Sequence, residues 1–271
     1  GILHNQLGNN QKAINCYEKA IQINPNHVDA HNNLGILHNQ LGNNQKAINC
    51  YDKVIKIDPA NLTAHWLSMN NFPDVYKNLE EITHYRKRFE KSIKKLNKLI
   101  DVQSHFTKQK FINAISSSTN FYLHYQGKDI LELQRNYASL IERITKKIYQ
   151  KFHKKRKKIT STQRIKIGFV SSFFRKHTVS KLFKNWILKL DEKKFEKYVY
   201  YSGNKFDDIT EKIKQKVDHF YNHTNVDQLI NKIFRDNLDV IIYLDIGMSP
   251  IIQIISSLRL APIQCNTWGH P

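Results

Sequence analysis

The chain has 271 residues, 40% of them hydrophobic, which is enough for two or three small domains with real cores and too apolar for wholesale disorder. Its formal net charge of +20 leaves two explanations open: an anionic partner, or the Lys-, Asn- and Ile-rich bias of an AT-rich genome spread over solvated faces. No run approaches the roughly 18 apolar residues of a membrane helix. The three widely spaced cysteines, Cys16, Cys50 and Cys265, form no CxxC pair and suit a reducing, cytoplasmic compartment.

Self-similarity dominates the start of the chain. Residues 1–17 recur unchanged at 35–51, a shift of 34 residues, which is the period of the tetratricopeptide helix–turn–helix unit. Leu34, Gly35, Gly42, Ala47, Tyr51 and Pro59 take that unit's small, apolar and terminating positions. Gly35 is expected where the two helices of a repeat approach closely, Gly42 at the turn, and Pro59 beyond the second helix. Gly1 is the eighth position of a repeat, so further repeats are expected upstream. A third unit begins at Leu62-Thr63-Ala64-His65-Trp66 and decays by Asn70-Asn71-Phe72-Pro73. The repeats are therefore assigned to residues 1–72.

Residues 73–158 read as helices of another kind. Ile82, Tyr85, Phe89, Ile93, Leu96 and Ile100 recur at helical spacing. A further helix is expected from about Asp129 to Phe152, with Leu133, Tyr137, Leu140, Ile141, Ile144 and Ile148 on one face and Gly127 at the turn before it. The basic run Lys151–Lys158 reads as a solvated linker in preference to a phosphate-binding patch, because it lacks interleaved aromatics beyond Phe152.

After Thr162 the period changes. Ile165–Val170 reads as a buried strand, and Val179, Leu182, Phe183, Trp186, Ile187 and Leu190 form the apolar stripe of the following helix. Strands are expected at Tyr198–Tyr201, Val240–Asp245 and Ile263–Thr267, and helices near Asp208–Lys216 and Val226–Asp236. This alternation implies an α/β fold with a parallel, Rossmann-like sheet over residues 159–271.

Ligands of open parallel sheets bind beyond the carboxyl ends of the strands. That rule selects the loops Ser171–Thr178, Asp245–Pro250 and Trp268–Pro271, and it places His177 and His270 near one cleft. His177 precedes a helix whose free amides favour negative charge, and an imidazole there can exchange protons near neutral pH. The plainer alternative is a helix cap or a surface residue. Asp245 can orient a hydroxyl or simply satisfy loop amides. No zinc-type Cys/His cluster, P-loop, GxSxG elbow or GxGxxG fingerprint is present, and no metal or resident cofactor is expected.

The residues now quoted resemble a known family. The repeats, then Ala64-His65 and Asn71-Phe72-Pro73, then Lys166–Phe174 with His177 and Ser180, are similar to the O-GlcNAc transferase/SPINDLY glycosyltransferases, closest to bacterial members. So is Leu258–Cys265 running into Trp268-Gly269-His270-Pro271. The resemblance covers nearly the whole chain and is weakest over 74–158. It implies a GT-B core, of which residues 159–271 are the first Rossmann-like half. It also implies metal-independent, inverting transfer of a sugar from a nucleotide donor such as UDP-GlcNAc to Ser or Thr hydroxyls of proteins.

On this resemblance His177 is the active-site histidine, acting as a base or as a contact to acceptor and donor. Ser171, Ser172, Asp245, Gly247, Gly269, His270 and Pro271 belong to the cleft. Asn33 stands where the family's repeat arm binds acceptor polypeptides through side-chain amides, and Leu67 replaces it in the next repeat. Two departures matter. Lys181 stands where members often carry a second histidine, and the lysine that holds the nucleotide diphosphate belongs to a second half expected beyond Pro271. The chain by itself is therefore expected to lack transferase activity. Nucleic-acid and membrane partners are not expected. The alternative function is a non-catalytic tetratricopeptide-repeat scaffold.

Overall fold

The computed structural model describes residues 1–102, 106–154, 156 and 164–267. The chain forms two compact units, Gly1–Leu140 and a second from Ile141 onward.

In the first unit α1 (Ile2–Gln6) and α2 (Asn10–Ile23) make one helix pair, and α3 (Val28–Gln40) and α4 (Asn44–Ile57) make the next. A Cβ on Gly35 would stand 2.6 Å from the Tyr51 ring, so only glycine lets α3 and α4 approach this closely. The turns between partners pass through Gly8 and Gly42, both at φ +74°. The repeat also preserves polar detail: His31 Nε2 meets the Pro25 carbonyl at 3.0 Å, and His65 Nε2 meets the Pro59 carbonyl at 3.0 Å.

The third repeat has a first helix, α5 (Leu62–Met69), but no second one of its own. Its buried face, with Trp66 and Met69, packs instead on α6 (Leu79–Val102) and α7 (Lys108–Ser117). Trp66 Nε1 donates to the Ser118 carbonyl at 3.2 Å. The Arg88 guanidinium, on α6, donates to the carbonyl of Ser68 and, at 2.6 Å, to that of Asn71. The Ser68 carbonyl, in the last turn of α5, also accepts the Asn71 amide at 3.4 Å, and Asn71 lies just beyond that helix. The expected stripe of α6 is the buried one, with Tyr85, Phe89, Ile93, Leu96 and Ile100 inside. A turn of 3-10 helix (Phe121–Gln126) leads past Gly127 to α8 (Leu131–Ile148), which carries the chain from one unit into the other.

The second unit is a five-stranded, wholly parallel sheet of order β3-β2-β1-β4-β5. Its elements are β1 (Ile165–Ser171), α9 (Thr178–Leu188), β2 (Phe195–Tyr201), α10 (Asp208–Lys214), β3 (His219–Asn222), α11 (Val226–Asp236), β4 (Val240–Tyr243), α12 (Pro250–Ser256) and β5 (Ile263–Asn266). On one face Ile167, Phe169, Val199 and Tyr201 pack against Val179, Phe183 and Ile187 of α9 and Ile213 of α10. The expected stripe of α9 is only half enclosed, since Leu182 and Trp186 remain about half exposed at 48% and 50%.

Helix α7, strand β3 and helix α12 were not anticipated from periodicity. Strand β3 is a short, half-exposed edge strand, and the seven residues of α12 are rich in isoleucine and too short for a helical period to register. The basic run also departs from the expected solvated linker. Phe152 is buried with its ring 5.0 Å from that of Phe234, and Arg156 donates to the carbonyls of Phe234 (3.0 Å) and Leu260 (3.3 Å). Lys155, Lys157 and Lys158 lie outside the described residues. Among the described residues no helix is long and apolar enough to cross a membrane.

Replacing Gly35 by valine forces the Tyr51 ring, fully buried, out of its place between α3 and α4. The expected loss is about 1–3 kcal/mol, read as a lower urea midpoint in circular dichroism at 222 nm (roughly), with Gly8→Ala as the milder comparison.

Candidate active site

Because every strand runs the same way, the loops after β1, β2 and β4 leave the sheet at one edge, and β1 lies between the other two. They meet there through polar side chains. Ser172 Oγ lies 2.5 Å from Ser202 Oγ and donates to Ser249 Oγ at 2.7 Å. One hydroxyl has one proton, so Ser202 must donate to Ser172. The Ser202 amide donates to the Ser171 carbonyl at 3.0 Å, which joins the loops after β1 and β2 a second time.

Asp245 sits under this junction with no exposed surface. Its Oδ2 accepts the Ser172 amide at 3.1 Å. Its Oδ1 is buried without a partner. Burial pushes the carboxyl up to about 7, against the lowering influence of the Ser172 amide and the Ser171 side chain. Gly247, at φ +84°, makes the turn that lets the Met248 amide donate to the Asp245 carbonyl at 3.1 Å.

The loop from Ser171 to His177 is bonded along its length. The Phe173 amide donates to Ser171 Oγ (2.9 Å), and the Phe173 carbonyl accepts from Ser180 Oγ (2.7 Å). The Phe174 carbonyl accepts from Thr210 Oγ1 (2.6 Å), and the Lys176 amide donates to Asp207 Oδ2 (2.6 Å). His177 closes the loop as the cap of α9: its Nδ1 accepts the Val179 amide at 3.3 Å. Its half-buried ring lies stacked on Phe173, centroids 4.1 Å apart and planes 14° apart. Burial first, and then the Arg175 guanidinium, hold the imidazole below its ordinary 6.5.

An amide proton directed at Nδ1 fixes the tautomer. Neutral His177 carries its proton on Nε2 and offers a donor there, not a lone pair.

The sequence-derived residues thus divide. Ser171, Ser172, Asp245, Gly247 and His177 come together at one edge of the sheet. Ser171 and Asp245, however, are fully enclosed, so neither presents a side chain to a ligand as expected of cleft contacts; both lie behind the loop surface. Gly269, His270 and Pro271 lie outside the described residues. Asn33 belongs to the other unit, half-buried on α3. Sequence reasoning passed over Ser202, and it selected the loop that holds Ser249 without singling that residue out. The signal for Ser202 was available, since it follows strand β2 directly and the rule that selected the other loops applies equally to it.

The residue ranges of known families fall on these two units. A TPR repeat model matches residues 1–42 and a tetratricopeptide repeat model residues 28–61. The model for glycosyl transferase family 41 matches residues 82–271. The chain belongs to glycosyl transferase family 41. No curated protein matches it. Among solved structures, a mutant O-GlcNAc transferase of Thermobaculum terrenum shares the fold with a TM-score of 0.60 and 18% sequence identity, over 98% of this chain and 48% of that one. The chain therefore spans about half the length of that protein. Repeats followed by a parallel α/β sheet are the architecture expected of this family, with the sheet as the first half of a GT-B core.

The carboxyl of Asp245 makes a prediction about stability in this family 41 chain. A folded-state value near 7 against 3.8 for an ordinary aspartate means that the folded chain holds a proton the unfolded chain has released. Its contribution is complete below about pH 4 and is lost as pH rises through 7, by at most about 4 kcal/mol. Asp245→Asn should remove this slope, so the melting temperature of the variant should gain on that of the parent between about pH 4 and 8.

Proposed function

We propose that the protein is a glycosyltransferase that moves a sugar, GlcNAc in the first instance, from a nucleotide-sugar donor to Ser or Thr hydroxyls of polypeptides. The observation that carries this reading is the family 41 match over residues 82–271, with the polar junction of the sheet lying inside it. The proposal extends to inversion at the anomeric carbon without a metal ion. It also extends to a cytoplasmic setting, which three free thiols support.

In this reading His177 faces the substrates. Its Nε2–H tautomer suits a hydrogen bond to an acceptor hydroxyl oxygen or to a donor phosphate oxygen. To act as a base it would first have to release the Val179 amide, a cost of about 0.5–1.5 kcal/mol. A held, neutral donor is therefore favoured over a resting base. Asn33, with a half-buried side-chain amide on α3, is proposed to pair with the backbone of an extended acceptor, which makes binding tolerant of acceptor sequence.

The test uses the complete gene product, with nucleotide released from UDP-GlcNAc and sugar gained by Ser/Thr-containing polypeptides as readouts. His177→Asn keeps a cap for α9 and removes the Nε2 donor. Turnover should fall on the order of a hundredfold while the fold is retained. Full activity in both His177→Asn and His177→Ala would sink the assignment.

Asn33→Ala should weaken capture of an unstructured polypeptide by about 0.5–1.5 kcal/mol without changing donor hydrolysis. Polypeptide capture with no turnover under any nucleotide sugar would favour the scaffold reading, for which the repeats alone are sufficient.

A further inference from the structure

We infer that Asp207 and Thr210, which form the capping box of α10, are positioning residues for His177. The inference rests on the reading of His177 as the substrate-facing side chain. It adds two residues that act on the imidazole through the backbone just before it.

Both residues first serve their own helix. Asp207 Oδ1 accepts the amides of Ile209 (3.0 Å) and Thr210 (3.2 Å), and the Asp207 amide donates to Thr210 Oγ1 at 3.2 Å. That closes the capping box within α10. Each side chain still has bonding capacity left over. Asp207 Oδ2 accepts the Lys176 amide at 2.6 Å, and Thr210 Oγ1 donates its proton to the Phe174 carbonyl at 2.6 Å. The other acceptor within reach of that proton, Asp207 Oδ1, is farther off at 3.5 Å.

The placement of these two bonds gives them their effect. The Phe174 carbonyl belongs to the peptide group before Arg175, and the Lys176 amide to the one after it. Both planes are tied to the first turn of α10, which leaves the Arg175 backbone little freedom. The next residue in free position is His177, extended at φ −153° and ψ 157°, with Nδ1 on the Val179 amide at 3.3 Å. The cap bond fixes one ring atom. The direction in which the chain arrives from Lys176 sets where the opposite atom, Nε2, points.

The choice of residues fits a double task. Asparagine caps a helix about as well as aspartate, but only the carboxylate has a second oxygen with which to accept. Burial raises the Asp207 carboxyl, yet the amides of Lys176, Thr210 and Ile209 outweigh it and hold the group below its ordinary 3.8. The bond to Lys176 is therefore charge-assisted, the shorter and stronger kind. Thr210 is fully enclosed, so its hydroxyl has no water as an alternative partner. The Lys176 ammonium is not the anchor: it pairs with Asp208 at 2.7 Å in an exposed contact of the weak surface kind.

The experiment separates clamp from cap in the 271-residue chain, without reference to catalysis. Asp207→Asn keeps one oxygen for the α10 amides and turns an NH2 group toward the Lys176 amide, so the cap survives and the clamp is lost. Thr210→Val removes the hydroxyl and keeps the branched shape, and Thr210→Ser returns the hydroxyl. NMR reads amide hydrogen exchange at Lys176, exchange inside α10 at Lys212 and Ile213, and the titration of the His177 ring.

In Asp207→Asn, exchange at Lys176 should rise about tenfold as its acceptor is lost. Lys212 and Ile213 should keep the protection of the parent. The His177 midpoint should move up toward its ordinary 6.5, as burial and the fixed Arg175 charge relax. Thr210→Val should move His177 in the same direction, and Thr210→Ser should restore it. A His177 titration unchanged in both Asp207→Asn and Thr210→Val would overturn the inference. So would an equal loss of protection at Lys176 and throughout α10 in Asp207→Asn, which would reduce the pair to a helix cap. If Thr210→Val does not fold, Asp207→Asn alone decides. No readout depends on sugar transfer, so a failure of the glycosyltransferase proposal and a failure of this link can be told apart.

Discussion

Parallel pairing of β1 with β2 on one side and β4 on the other is the constraint from which the rest of the second unit follows. Parallel strands discharge their loops at a common edge, and a central strand must share that edge with both neighbours. The loops after β1, β2 and β4 therefore crowd together where side chains replace the ladder as hydrogen-bonding partners. Serines fill the role because a hydroxyl both donates and accepts within a small volume, and Ser172, Ser202 and Ser249 form such a chain. Asp245 adds an acceptor for the Ser172 amide at this strand end.

The site is consequently built on two levels. At the surface, His177 is at once a helix cap and the side chain proposed to meet substrate, and the first role constrains the second. By accepting the Val179 amide, Nδ1 commits the proton to Nε2. Partial burial and Arg175 keep the ring neutral near pH 7. Beneath the surface lies the Asp245 carboxyl, whose burial raises its pKa and whose Oδ2 holds the Ser172 amide. Local stability is set against local geometry here, as is common where a site must be held in place.

The first unit meets a different requirement. A helix pair in a repeat stack leaves one apolar face for its neighbour, and the stack must end somewhere. Here the end is made by replacing the missing second helix of the third repeat with α6 and α7. Trp66 finds a carbonyl at Ser118, and Arg88 bonds the carbonyls of Ser68 and Asn71, at the end of α5 and just beyond it. Arginine is fitted to that task, since its planar fork can serve two acceptors a few residues apart.

Much of this was legible in the residues alone. A repeat of 34 residues announces itself as identity between segments, and the glycine of its close approach is required by backbone distance, a local matter. The strands β1 and β4 stood out because central parallel strands are apolar on both faces, whereas β3, half exposed at the edge, carried no such signal. What the sequence could not decide was burial and partnership at the loop edge. Whether Asp245 meets a ligand or lies sealed beneath Ser172 depends on how closely three loops pack, and that is fixed by strand order and register. For the same reason Ser202, distant in sequence, became a partner of Ser172 only when parallel pairing set β2 beside β1.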